Sequence, residues 1–407
     1  MEGEWYYSYM NSPTYRAFGI ATLLSAILVF AGSLLAPVEV RFVEAITAST
    51  AISGLIFGGA SITLVFLSHY VAQLSNRYGR RNTILYGLLF GFIYALLYAS
   101  VVNTLGLLGV KFAWAFAIAA TNPILAAYVQ HLLVGNKNQG RYFGYYYAVQ
   151  SIAGSAGALL GGYLFTLAGF YLVAYALAGA YAVAFLITLF LPNNESNSKV
   201  EGDVKLQTQT YSIFALLKVL LTKPSLRFYL ASNIATAPNW GVKPFLWPLV
   251  IFAISGSDVI TGSIFATMGL VAFMLLPFAG MVADKVGPYR VIVVELFLFS
   301  VTGITMALTG TIAVFWVAAA VYTIAEVFNL AQAMILTEEL DENIRSQAMA
   351  LDTAFDQIIG FISPLLAGVL VTLYSPSVAL LFFMSLYVFG FVATLSLFRK
   401  HQFGVRC

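Results

Sequence analysis

Between Tyr15 and Val38 only Arg16 is charged, and eleven further stretches of similar length follow with at most two Asp, Glu, Lys or Arg side chains each. A bilayer crossing needs roughly 20 mostly apolar residues in one helix. In hydrocarbon each backbone N–H and C=O must be satisfied inside the structure, which leaves helices and closed barrels. These runs are continuous rather than alternating, so they predict helices. The expected spans are 15–38, 46–74, 82–103, 108–131, 142–167, 170–191, 225–253, 259–283, 289–309, 311–336, 347–373 and 377–398. A soluble domain carries about 25% charged residues; this chain has 9%, with 60% hydrophobic residues. Its mean hydropathy is +0.87. An all-α membrane protein with twelve transmembrane helices is expected.

The first run is too long, and too closely followed by others, to read as a cleaved signal peptide. The one cysteine, Cys407, forms no intrachain disulfide and fits no lipidation box. Of 20 Lys and Arg residues, only Arg41, Lys111 and Lys243 fall away from the side that twelve alternating spans give to both termini. The positive-inside bias makes that side cytoplasmic, which predicts a multi-pass protein of the cell membrane with both termini cytoplasmic.

Residues 192–210, "PNNESNSKVEGDVKLQTQT", are the one extended polar segment and read as a flexible connector. "YSIFALLKVLL" after it reads as a short interfacial helix. The expected division is a six-helix bundle over 1–191, a cytoplasmic connector over 192–224 and a second six-helix bundle over 225–407. The two bundles echo each other. "SNRYGRRN" (75–82) after span 2 answers "ADKVGPYR" (283–290) after span 8, with Gly79 matching Gly287, Asn76 matching Asp284 and Arg77 matching Lys285. "LAPV" (35–38) answers "LWPL" (246–249), "GALLGG" (157–162) answers "SPLLAG" (363–368), and Asn122 answers Asn329. Parallel six-span repeats are an architecture of secondary transporters.

On these motifs the whole chain resembles the major facilitator superfamily. The family's loop between helices 2 and 3, G-x-x-x-D-R-x-G-R-R, appears here as Ala72 to Arg81, with Asn76 in place of the acid and Ala72 in place of the first glycine. A degenerate copy runs from Gly280 to Gly287. The resemblance implies the major facilitator fold, two six-helix pseudo-repeats, and alternating access. It also implies a cytoplasmic gate built from Asn76, Arg77, Gly79, Arg80 and Arg81, Asp284, Lys285 and Gly287, Arg141, Arg345 and Asp352. Asn76 cannot ionise, so Asp352, about 10 Å along its helix from Arg345, is the acid expected to serve the arginines. The alternative is that the arginines bind lipid phosphate and fix topology. The family pattern further implies that helices 1, 4, 7 and 10 and their neighbours line the cavity.

An ionisable side chain at membrane depth is expensive and marks a functional candidate. Glu326 lies about 18 Å from the cytoplasmic end of span 10, and Asp356 about 16 Å into span 11. Carboxyl groups that alternately hold and release a proton are what a proton-coupled carrier needs, so both are candidate coupling residues; structural hydrogen bonding is the alternative. Candidate cavity residues are Lys111, Asn122 and Gln130 in span 4, Tyr146 and Gln150 in span 5, Asn239, Trp240 and Lys243 in span 7, and Asn329 in span 10. Lys111 instead reads as a snorkelling residue at the outer surface if it lies shallower. Pro238, Gly241, Pro244 and Pro248 predict broken helix in span 7, tolerated where backbone faces protein or water. Gly154, Gly157 and Gly161 form a seam for close helix contact. Glu295, five residues past Arg290, is expected to snorkel to the interface.

No nucleotide-binding loop, zinc motif or nucleophile–base set is present, and no metal-ligand spacing links the three histidines. An enzyme is not expected, nor a cofactor, a metal or a nucleic-acid partner. The expected protein is a monomeric secondary active transporter whose partners are a small-molecule substrate, protons and membrane lipids. Proton-coupled export of amphipathic, drug-like compounds, an antiporter activity, is the first expectation. It draws on weak echoes of the drug:proton antiporter branch at Lys111 and at "GALLGG". Proton-coupled uptake or exchange of a small polar solute, such as a sugar or organic anion, is the alternative.

Overall fold

The computed structural model describes residues 13–133, 139–192, 221–340 and 342–404. Among these, ten helices are long and apolar enough to cross a membrane, and they coincide with expected spans 1–6, 8, 9, 11 and 12. Spans 7 and 10 are each broken in two. In chain order the helices are α1 (Pro13–Leu35), α2 (Glu39–Thr47), α3 (Thr50–Tyr78), α4 (Arg80–Ser100), α5 (Thr104–Leu133), α6 (Gln139–Ala168) and α7 (Phe170–Thr188). Then come α8 (Pro224–Thr236), α9 (Pro238–Ser255), α10 (Asp258–Val286), α11 (Pro288–Leu308), α12 (Ile312–Val327), α13 (Leu330–Glu339), α14 (Glu342–Leu373) and α15 (Pro376–Gly404).

The paired loops are single residues. Gly79 alone separates α3 from α4, with φ 85°, and Gly287 alone separates α10 from α11, with φ 88°. A side chain in that left-handed region is strained, so glycine at both positions lets two spans reverse direction within one residue. The sequence echo is therefore a backbone echo.

By compactness the chain forms two units: residues 1–47, 63–202 and 261–273 in the first, and 48–62, 203–260 and 274–407 in the second. The first unit packs α1 along α6 through the glycine seam. A Cβ added at Gly157 would land on the Phe30 carbonyl oxygen, and one at Gly161 on that of Leu34. Gly91 of α4 receives the ring of Tyr181 from α7. The first part of α10 joins this unit, with Gly262 seated on Ala158. The second unit holds an aromatic core of Trp247, Phe299, Tyr322 and Tyr387, in which the two tyrosine hydroxyls are 2.7 Å apart. The first part of α3 belongs here, where Gly54 and Gly58 rest on the backbone of Pro364 and Phe361 in α14.

Because the obstacle at Gly161 is backbone rather than a movable side chain, Gly161→Ala should cost about 1–3 kcal/mol. The check is thermal unfolding in detergent, with Gly19→Ala as control, since a Cβ there meets nothing within 4 Å.

Candidate functional site

Four clusters of polar side chains lie within the two units, each joining neighbouring helices. The first is built on the broken spans of the second unit. Span 7 breaks at Ala237, where Pro238 opens α9, whereas Pro244 and Pro248 lie inside that helix. Span 10 breaks at Phe328–Asn329 without proline or glycine, and the turn is bridged by i→i−3 bonds, Phe328 N to Ala325 O at 2.9 Å and Asn329 N to Glu326 O at 3.1 Å. The last turn of α12 and the first turns of α9 thus bring Glu326 against Lys243. The Lys243 ammonium donates to both carboxylate oxygens, at 2.7 and 2.6 Å. Both side chains remain partly open, at 22% and 23% exposure. Asn239 donates to Glu326 at 3.5 Å, and its own Oδ1 is buried with no partner among the described residues. Trp240, beside it, is 63% exposed.

The second cluster lies one to two turns along α8 and across to α14. The Tyr229 hydroxyl donates to Asp352 Oδ1, which also accepts from Asn233 Nδ2 at 2.8 Å. Asp356, one turn further along α14, has a buried Oδ1 without a partner among the described residues. The third cluster joins α11 to the span 10 break: Asn329 Nδ2 donates to Glu295 Oε1 at 3.0 Å. Glu295 is fully buried, which corrects the expectation that it snorkels to the interface. Its helix turns it inward onto Asn329 rather than along the surface.

The fourth cluster is in the first unit. Lys111 of α5 meets Glu39 of α2 at 2.6 Å, and the Tyr98 hydroxyl donates to the same oxygen at 2.9 Å. Lys111 is 5% exposed, so the snorkelling alternative does not hold. Helix α2 was not predicted from the sequence, although its nine residues are amphipathic, with Glu39 in the first turn and Val40 and Val43 buried; it is too short to read as a span.

The other candidates lie apart from these clusters. Asn122 and Gln130 share an exposed face of α5, Tyr146 is buried and Gln150 is partly buried. Gln150 Nε2 has no partner among the described residues. Arg77 is exposed above the ring of Tyr78, and Arg80, Asp284 and Lys285 are also exposed. Arg81 donates to the carbonyls of Thr188 and Leu189, at 3.4 and 2.8 Å, where it caps the end of α7. Arg81 there satisfies orphan carbonyls at a helix C-terminus, and within the second unit Asp352 accepts from Tyr229 and Asn233. The side chains of Asn76, Arg141 and Arg345 lie outside the described ones, as do the connector residues 193–220.

Ten helices long and apolar enough to cross a membrane, with charged pairs between neighbouring helices, fit the secondary transporter class to which the family match assigns the chain. The chain belongs to the Major Facilitator Superfamily, whose family model matches residues 19–256 and 228–404. No curated protein matches it by sequence. Among solved structures it is similar to the nucleoside transporter NupG, with TM-score 0.74 at 16% identity over 94% of this chain and 99% of that one. A bacterial homologue of the human lysosomal transporter Spinster, inward-facing and unoccupied, matches with TM-score 0.74 at 16% identity over 96% and 99% of the two chains. The POT family transporter PepTSo gives 0.71 at 12% identity over 95% and 98%. At such identities the likeness establishes the fold, that of twelve transmembrane helices.

Proposed function

We propose that this chain is a proton-coupled carrier of a small polar solute, working as a monomer by alternating access in the cell membrane with both termini cytoplasmic. The observation that carries the reading is the Lys243–Glu326 pair, held where both spans are broken. A proton on Glu326 removes the charge that holds Lys243. An anionic or carbonyl group of a solute on Lys243 likewise frees Glu326 to take a proton. Each event therefore favours the other, and by linkage the effect is reciprocal. Mutual support of proton and solute is the logic of symport. This favours the polar-solute alternative over antiport of amphipathic compounds. Asn239, with an unpartnered buried oxygen, and the exposed ring of Trp240 supply hydrogen bonding and stacking beside the pair. A nucleoside transporter and a POT family peptide transporter of the same fold support this choice of solute class.

Purified protein in liposomes, under an imposed pH gradient, should accumulate at least one compound from a radiolabelled panel of nucleosides, dipeptides and small organic anions. The direction should follow the proton gradient. Movement of a cationic amphiphile against the proton flow, with none of the polar panel accumulated, would replace this reading with drug export.

A further inference from the structure

Glu295 belongs to span 9, away from the charged pair, yet it is fully buried and one of its oxygens is idle. Oε1 accepts the Asn329 amide, while Oε2 has no partner among the described residues. The ion pairs Lys111–Glu39, Lys223–Glu339 and Lys243–Glu326 all lie elsewhere. A carboxyl group removed from water needs a counter-charge or a proton. The groups that face it are acids and phenols. Helix α12 contributes Glu326 and Tyr322, and α15 contributes Tyr387, whose hydroxyl is bonded to that of Tyr322. Among the described side chains, Asn329 at the head of α13 is its contribution, and Glu339 at the far end binds Tyr289 and Lys223 instead.

Asn329 is also part of the break in span 10. Its backbone N–H bonds the Glu326 carbonyl, and its side chain bonds Glu295. One turn of chain thus lies between the acid that holds Lys243 and the acid that holds the break. We propose that Glu295 is a proton-exchanging positioning residue, which through Asn329 sets the span 10 break and so the placement of Glu326 against Lys243. The proton occupies Oε2, the oxygen without a partner, and Oε1 keeps the Asn329 amide in both states. That bond is roughly twice as strong when the acid is ionised, so gain of the proton loosens the break and its loss tightens it. Oε2 is sealed from solvent, so exchange occurs when the break opens. The state of Glu295 is in this way tied to a state of span 10.

This inference rests on Glu326 as the coupling residue, and its test separates the two. Infrared difference spectra of the full chain in lipid vesicles, recorded between mildly acidic and mildly alkaline pH, report the C=O stretch of protonated carboxyl groups without any solute. A titrating band is expected in the native protein. It should be lost in Glu295→Gln, persist in Glu326→Gln and shift in Asn329→Ala; the last carries the test if Glu295→Gln does not fold. A hydrogen bond with only a structural role gives no titrating band from Glu295. Native spectra in which Glu295→Gln removes nothing, or an Asn329→Ala spectrum superimposable on the native one, would overturn the assignment of Glu295. Coupling at Glu326 would stand in that case, because it is read separately by solute accumulation in liposomes.

Discussion

Glu326→Gln should abolish accumulation of solute against its gradient while downhill exchange continues. Glutamine keeps the shape of the side chain and its capacity to accept from Lys243, at 2.6 Å in the native pair, but it cannot bind and release a proton. The substitution changes no other side chain, so equilibration of solute should survive while the link to the gradient is lost. Asp356→Asn provides the comparison. Asp356 sits in a different cluster from Glu326, beside Asp352 on α14, so the two acids need not behave alike. Lys243→Ala should act on affinity instead. A hydrogen bond to a charged group contributes about 1.5–3 kcal/mol, so solute binding should weaken roughly 10- to 150-fold. The measurements are gradient-driven uptake and counterflow in the same liposomes. Undiminished uphill accumulation in Glu326→Gln would make the pair structural and place coupling elsewhere.

The second large effect concerns stability, and it lies in the other unit. Lys111→Met should destabilise the protein by about 3–5 kcal/mol, because removing one member of a buried ion pair leaves the other charge uncompensated. Glu39, 14% exposed in the native pair, then keeps the Tyr98 hydroxyl as its partner among the described residues. Glu39→Gln should cost a similar amount for the converse reason. The double variant Lys111→Met with Glu39→Gln should recover most of the loss, since a buried pair replaced as a whole is often neutral. Lys223–Glu339 is the contrast: at 3.9 Å, with Lys223 52% exposed, its removal should change stability by no more than about 1 kcal/mol. Thermal unfolding of the four variants in detergent distinguishes the cases. Equal losses at the buried and exposed pairs would mean that Lys111 and Glu39 are solvated after all.

Most of the helices could be read directly, because the requirement they answer is local. A backbone in hydrocarbon must bond to itself, so each apolar run of sufficient length is a helix wherever it packs. The span 7 break was also legible, since proline at 238 removes a donor from the ladder. Span 10 gave no such sign. "AEVFNL" contains no breaker, and its interruption at Phe328–Asn329 accompanies a side-chain bond to a residue 34 positions away. Helix α2 was missed because it is amphipathic but only nine residues long and weakly apolar, so a search for membrane-length apolar runs passes over it.

The candidate site divides along the same line. Glu326, Lys243, Asn239 and Asn329 stand out in the sequence because polar groups at membrane depth are costly and rare. Their pairing does not stand out. Glu326 reads equally well as a partner for Asp356, and Asp352 as one for the arginines. Glu295 reads as a surface residue from its distance to Arg290, yet its helix turns it inward. By itself the sequence determined the solvent, the number of spans, the two-fold echo and the family, because hydrophobic length, charge placement and the glycines at 79 and 287 act through the chain's own neighbourhood. The tertiary structure alone decided which charge meets which. Those contacts depend on the rotation of each helix about its axis, and that is fixed by packing such as Gly241 against Gly360 and Pro364, and Gly303 against Met384.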